Sequence, residues 1–455
     1  MLSEAPLSTN HRLAMRLLLM ALFLTLALSG CGGGTPAPES VLPPPLRSPL
    51  SPTVTPTPTP PSELEPMVVT LELWLPEELN PYADEPGARA LLQQLDQFSE
   101  TYPDVQVDVV VKKAHGRGGL LDFMQAAKEA APSVLPDVVV LDAADLEETA
   151  KQNLIQPLDD LLSSGRLSDR FSFAVEMAEA GDEDATMGFV IGADMQHLAY
   201  RTGVLESPPV SWTQIISPPI SFIFPAGGRD RQVNDATLIQ YLSAGGRLTD
   251  PDGNPTLDED ALVSVLDFYS DCISTAAISP TYATPAISPT VVLNLKDADQ
   301  AWERFKNGEG DIAIVRAGRY WLEADETMGA APIPTRDGRP LSIARGWVVA
   351  MVTDNPARQA LATLLLNWLV APEHNGPWTQ AAGYLPASRG ALRMWDISNA
   401  DRATLQSVMG AAIPAPPPKV MTTVGKPMQD AVEAVLRGRA TPEEAAAAAI
   451  KALGR

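Results

Sequence analysis

Two cysteines and four histidines in 455 residues leave little material for a disulfide framework or a zinc centre. The histidines, at positions 11, 115, 197 and 374, are scattered, and no cysteine–histidine cluster joins them. Positive charge is also scarce: 33 Lys and Arg stand against 56 Asp and Glu, a net charge of −23. Nucleic acid and anionic lipid surfaces both demand basic surface, so neither is expected as a partner. Aromatic residues make up only 6% of the chain. No serine elbow, metal motif or other nucleophile signature is present, which leaves hydrolytic chemistry without a visible centre. The chain offers one long apolar run, Leu17 to Leu28 broken only by Thr25, and it is too short to span a bilayer.

That run is informative in another way. His11, Arg12 and Arg16 precede it and Leu28-Ser29-Gly30-Cys31 closes it, the layout of a secretory leader. The tetrapeptide resembles a bacterial lipobox, which implies that residues 1–30 are a signal peptide and that Cys31 is lipidated as the first residue of the mature chain. One acyl chain binds membranes marginally, and the several chains of a lipoprotein anchor stably. The expected location is therefore the extracytoplasmic face of the cell membrane. Residues 32–66 hold 12 of the 43 prolines, so 31–66 reads as a lipidated cysteine followed by an extended Pro/Thr-rich tether. The remaining cysteine, Cys272, follows Phe268 on a helical apolar face with Leu262, Val265, Leu266 and Tyr269, and reads as a buried structural thiol.

From residue 67 onward the chain is longer than one hydrophobic core usually accommodates, so two lobes are expected. Val68 to Trp74 is β-rich, Ala88 to Phe98 is helical by spacing, Val105 to Val111 is a strand, Leu120 to Ala130 a helix, and Pro136 to Asp142 an apolar strand. Such alternation predicts parallel pairing with helices on both faces, an α/β class. Ligands meet the carboxyl ends of such strands, which singles out Trp74 and Asp142. Farther on, Gly188 to Tyr200 reads as two extended pieces broken at 192–194, Asp311 to Val315 and Gly346 to Val352 as strands, and Asn355-Pro356 as a helix start. Thr441-Pro442-Glu443-Glu444 is a capping box.

The order of these pieces resembles the bacterial extracellular solute-binding proteins of the sugar type that serve ABC importers, the family of the maltose-binding protein. The segments carrying the resemblance include QLDQFSETYPDVQVDV, PDVVVLDAADLEETAKQNLIQPLDDLL, HLAYRTGVL, AWERFKNGEGDIAIVRAGRYW, GWVVAMVTDNPARQALATLLLNWLVAPE and GYLPASRGAL. The resemblance implies two βα lobes with a hinge and an inter-lobe cleft. It places 67–191 in lobe 1, 192–345 in lobe 2, 346–395 back in lobe 1, and 396–455 as C-terminal helices on lobe 2. Crossovers are expected near Ile191–Asp194 and Arg345–Trp347. It further implies ligand-binding roles for Asp142, Asp194, Trp321 and Trp347, and the chemistry of a sugar adds Trp74 and Tyr384 as rings for its apolar faces and Arg345 as a charged group for its hydroxyl rim.

The implied function is capture of a solute, a carbohydrate first, and its delivery to ABC permease subunits by a monomeric lipoprotein without cofactor, metal or catalytic role. Two other readings stay open at this stage. One is a surface sensory module using the same clamp, and the other is a lipoprotein glycoside hydrolase with Asp142 and Asp194 as acid and base.

Overall fold

The computed structural model describes residues 68–159, 168–181, 185–278 and 285–454, all within one compact unit spanning 64–455. The signal segment, Cys31 and the tether lie outside the described residues. In chain order the strands are β1 (Val69–Pro76), β2 (Val105–Lys112), β3 (Val138–Asp142), β4 (Glu179–Ala180), β5 (Ala185–Thr186), β6 (Phe189–Asp194), β7 (Gln196–Arg201), β8 (Phe222–Ile223), β9 (Ile312–Arg316), β10 (Met328–Ala331), β11 (Ser342–Met351) and β12 (Ala412–Pro414). The first large sheet has the order β12-β11-β3-β1-β2, with β6 also on β11, and the second has β10-β7-β9-β8. These are the sheets of two α/β lobes.

Each sheet is covered on both faces, which explains its near-continuous apolar strands. Along β1, Leu71, Leu73 and Leu75 enter one core with Leu91, Leu95 and Phe98 of helix Pro86–Thr101 and Leu365 and Leu369 of helix Pro356–Val370. Trp74 turns to the other face, with Leu120, Met124 and Leu146. The second sheet alternates likewise: Leu198, Ile312 and Ile314 pack on helices Glu259–Ile278 and Pro418–Leu436, while Ala199, Ala313 and Val315 pack on Trp302 and Phe305 of helix Ala298–Lys306. Each fully buried leucine of this kind contributes about 1.5–3 kcal/mol. Cys272 is buried in the first of those two layers, as its helical spacing predicts.

The first three strands pair in parallel, as their alternation with helices predicts, and later strands bring antiparallel pairs into both sheets. β1 runs parallel to β2 and β3, but β11 is antiparallel to both β3 and β6, and β7 is antiparallel to β9 and β10. The reason is the crossing. Only Met195 separates β6 from β7, so the chain enters the second sheet without a helical return, and β11 brings it back as one uninterrupted strand.

The two crossings lie side by side, with Arg345 opposite Asp194, Gly346 opposite Ala193 and Trp347 opposite Gly192. A Cβ on Gly346 would fall 2.4 Å from the Gly192 carbonyl oxygen, so this glycine serves close approach and not an unusual backbone angle. After β11, Asn355 caps helix Pro356–Val370 as expected, and Thr441 with Glu444 forms the expected capping box of helix Pro442–Leu453. Helix Asn399–Gly410, expected on lobe 2, instead gives Leu405, Val408 and Met409 to the core of the first sheet, beside Phe171 and Leu392. The last two helices pack in the core of the second.

Candidate functional site

The crossings, the ends of β3 and β9, and the segment after helix Pro372–Ala382 converge on one region between the lobes. Asp194 ends β6 there. One of its carboxylate oxygens accepts from the backbone N–H of Met195 at 2.8 Å and of Gly318 at 3.2 Å, and the other pairs with the Arg316 guanidinium at the end of β9. Burial pushes this carboxyl up to about 6, against the downward pull of Arg316 and the two N–H donors. Arg316 also faces Asp299 at 3.7 Å.

Lobe 1 meets this group through Gly383 and Tyr384. Gly383 holds the left-handed C-cap of helix Pro372–Ala382 with φ 69°. Its carbonyl oxygen lies only 1.7 Å from where a Cβ of Gly318 would be, so two glycines let the lobes touch. The Tyr384 hydroxyl accepts from Trp347 Nε1 at 3.1 Å, and its ring stacks on Trp378. Burial raises the Tyr384 hydroxyl, and the charges of Arg316 and Asp194 both act on it.

Trp321 lies on the short helix Ala317–Glu323 and packs against the core clusters of both lobes. Its ring is 5.1 Å from Tyr320 and 6.4 Å from His197, and its Nε1 is buried without a hydrogen-bond partner. His197 is fully buried, with Nδ1 against the Leu198 carbonyl at 2.9 Å and Nε2 unpartnered. Burial depresses it to about 4, so it is neutral at physiological pH.

The remaining expected residues are placed differently from one another. Asp142 caps helix Ala143–Lys151 through Ala144 N–H at 2.8 Å, and His115 lies between it and Asp145, at 3.3 and 3.2 Å. Burial raises the Asp145 carboxyl, opposed by His115. A cavity of about 190 Å³ opens beside His115, lined also by Asp122, Gln125 and Asp145. Arg345, half exposed, makes a bidentate pair with Asp235 at 2.8 and 2.7 Å. Trp74 and Trp347, expected to offer ring faces, are only 3% and 8% exposed. The sheet is covered on both sides, and these two rings enter the cores on its two faces, so they pack and do not present. The Trp74 ring instead takes the Lys112 ammonium, 4.2 Å from its centroid and equally close to that of Phe123.

Thus Asp194, Trp321, Trp347 and Tyr384 come together with Arg316, while Asp142 and Arg345 border the same gap. Sequence reasoning passed over Asp235, Lys112 and His115. Lys112 ends β2 and His115 follows it, so the carboxyl-end rule already applied to Trp74 and Asp142 points to them as well. Chemically the arrangement supplies paired donors and acceptors around aromatic surface. Among the described residues no group of three His, Cys, Asp or Glu is arranged to hold a metal. A larger opening of about 420 Å³, between Pro289–Asn294 and Leu436–Arg439, contains none of the expected residues and is distant in sequence from all of the crossings.

A family model described as bacterial extracellular solute-binding protein matches residues 93–404. Among solved structures, a maltose-bound MalE3 from T. maritima is 21% identical, with TM-score 0.61 over 85% of this chain and 99% of that one. The cyclic alpha-maltosyl-1,6-maltose binding protein of Arthrobacter globiformis is 18% identical, with TM-score 0.65 over 85% and 98%. An ABC transporter solute-binding protein of Agrobacterium radiobacter K84 in complex with ribitol is 18% identical, with TM-score 0.57 over 86% and 100%. At these identities the structural likeness establishes the fold.

Proposed function

Since the chain belongs to the bacterial extracellular solute-binding protein family, we propose that it captures a carbohydrate between its lobes and delivers it to the permease of an ABC importer. The observation that carries this reading is Trp321: an aromatic side chain touching both lobes, with an unsatisfied buried donor, beside the Asp194–Arg316 pair at the crossing. An aromatic surface bordered by fixed polar groups matches a sugar's apolar face and hydroxyl rim. Maltose, a cyclic maltosyl-maltose and ribitol are named for the neighbours, and their shared polyhydroxyl chemistry supports the same class here.

In this reading Asp194, Arg316, Trp321 and Tyr384 contact or orient the solute, with Trp347 holding Tyr384, and Asp142 and Arg345 border the opening. Lobe 1 comprises residues 67–191 and 346–410, and lobe 2 the intervening segment with the last two helices. Residues 1–30 act as signal peptide, Cys31 as lipid anchor and 31–66 as tether, holding a monomeric receptor outside the cytoplasm. Cys31→Ser should abolish incorporation of labelled palmitate and release the protein from the membrane fraction.

The test of the main reading is a thermal-shift and calorimetric screen with sugars, polyols, amino acids and peptides, with Trp321→Ala alongside. A ligand at a hundred times its Kd adds about 2.7 kcal/mol, easily seen as a rise in Tm. A sugar-dependent rise lost in Trp321→Ala supports the reading. A folded protein that responds only to amino acids or peptides overturns the carbohydrate.

A further inference from the structure

Three arginines near the gap, Arg316, Arg319 and Arg345, have the chemistry to receive an anionic solute, since guanidinium groups bind carboxylate and phosphate in bidentate fashion. The structure engages each of them internally. Arg316 pairs with Asp194 and faces Asp299, and Arg319 pairs with Glu303 and Glu323 on the far side of its helix. Arg345 is the most exposed of the three and the only one whose fork is matched in parallel by a single carboxylate, Asp235, at 2.8 and 2.7 Å.

Asp235 opens helix Asp235–Ser243 of lobe 2, directly after the Asn234 cap, and its side chain is only 14% exposed. It is therefore held by the fold while Arg345, on the crossing strand, comes to it. The negative charge of Asp142 in lobe 1 acts on Arg345 as well. Asp145 and Asp122, beside His115, add further acidic character on the lobe 1 side, offset by Lys112. An incoming carboxylate or phosphate would face several like charges and find the best guanidinium fork already filled, and like-charge juxtaposition at an interface costs several kcal/mol.

We propose that Asp235 sets the charge selectivity of the cleft: by occupying the fork of Arg345 it withholds that guanidinium from the solute, so uncharged polyols are admitted and their carboxylate or phosphate counterparts are refused. Asp235 acts through Arg345 and is a specificity-determining residue, not a ligand contact. The inference rests on the carbohydrate reading above and adds the device that discriminates within that class. Neutralising Asp235 frees the Arg345 fork while leaving its position on β11 unchanged, and thereby creates an anion receptor.

The test uses the whole chain and matched probes: maltose with maltobionate, glucose with glucuronate and glucose 6-phosphate, and ribitol with ribonate, each titrated calorimetrically into wild type, Asp235→Asn and Asp235→Asn/Arg345→Gln. Unfolding midpoints without ligand establish that each variant is folded. If Asp235→Asn does not fold, Asp235→Ser takes its place. The wild type should bind a neutral probe at least tenfold more tightly than its acid. Asp235→Asn should raise the acid-to-neutral affinity ratio at least tenfold, salt should reduce that gain, and the double variant should abolish it. A wild type that binds an acid as tightly as its neutral partner, or a folded Asp235→Asn with an unchanged ratio, overturns the charge proposal and leaves the carbohydrate reading standing. Failure of every probe with every variant overturns both.

Discussion

Gly318 packs against the backbone of Gly383, and replacing it with alanine converts that contact into a wedge. The added Cβ would lie 1.7 Å from the Gly383 carbonyl oxygen and 2.7 Å from its carbonyl carbon, whereas ordinary contact begins near 3.4 Å. The missing distance is therefore about 1.7 Å, too large for a side-chain adjustment because the obstacle is backbone. Gly383 itself is pinned by its left-handed cap, with Leu322 Cδ1 2.6 Å from where a Cβ would stand, and Gly318 by its N–H bond to Asp194. The least costly relief is opening between the lobes at the paired crossings. Forcing extra volume into a tight contact costs about 1–3 kcal/mol, and the wedge charges this to the form in which the lobes touch. A solute that binds that form should then bind roughly 5- to 150-fold more weakly. Calorimetric Kd values with the solute found in the screen would show this, with solution scattering to report the increase in radius of gyration. Gly410→Ala, where a Cβ meets nothing within 4 Å, is the control. A Gly318→Ala protein with wild-type affinity and unchanged scattering would refute the reasoning.

Other expectations follow from the buried charges. Asp194, raised from 3.8 to about 6 by burial, binds its proton more tightly when folded, so its contribution to stability is present at low pH and lost as pH rises from 4 through 6, about 3 kcal/mol in all. His197, lowered from 6.5 to about 4, contributes stability above pH 6.5 that is lost as pH falls towards 4, also about 3 kcal/mol. The two oppose each other, so denaturant unfolding between pH 4 and 7 should find wild type flatter than either single variant: Asp194→Asn should lose stability on acidification, and His197→Phe should gain it. Identical pH slopes in all three proteins would contradict this. Arg358 holds the nearly buried Asp137 in a two-pronged pair and also reaches the Thr70 carbonyl, so Arg358→Ala leaves an uncompensated charge and should cost about 2–3 kcal/mol by urea unfolding, discounted for the partial exposure of the arginine. A loss under 0.5 kcal/mol would argue that water reaches Asp137.

Local signals in the chain translated well into structure. Asn355-Pro356, Thr441 with Glu444, and Asp142 before an alanine pair are all caps whose partners lie within four residues, and each forms the bond its spacing implies. The same range explains what was hidden. That β11 lies antiparallel between β3 and β6 depends on pairing partners about 150 to 210 residues away, and no periodicity in either strand records direction. Alternation tells that Trp74 opposes Leu73 and Leu75, but it does not tell that both faces are covered, so a ring expected to meet a ligand is buried instead. Asp235 escaped notice because an acidic residue after an Asn cap is ordinary at a helix start, and only the tertiary arrangement brings Arg345 to it.

The uninterrupted course of β11 also governs the order in which the molecule can be built. Val138 pairs with Met351 and Asp142 with Trp347, so the first sheet lacks an interior strand until about 200 further residues have been made. The second sheet draws its strands from 196–331 alone and has no such wait, although its outer helices come at the very end. Closing so long a loop is slow, and a half-made sheet presents the bare edge of β3 to any neighbour. The sheet that begins the chain is thus completed last, and the chain is most vulnerable to aggregation in the interval between β3 and β11.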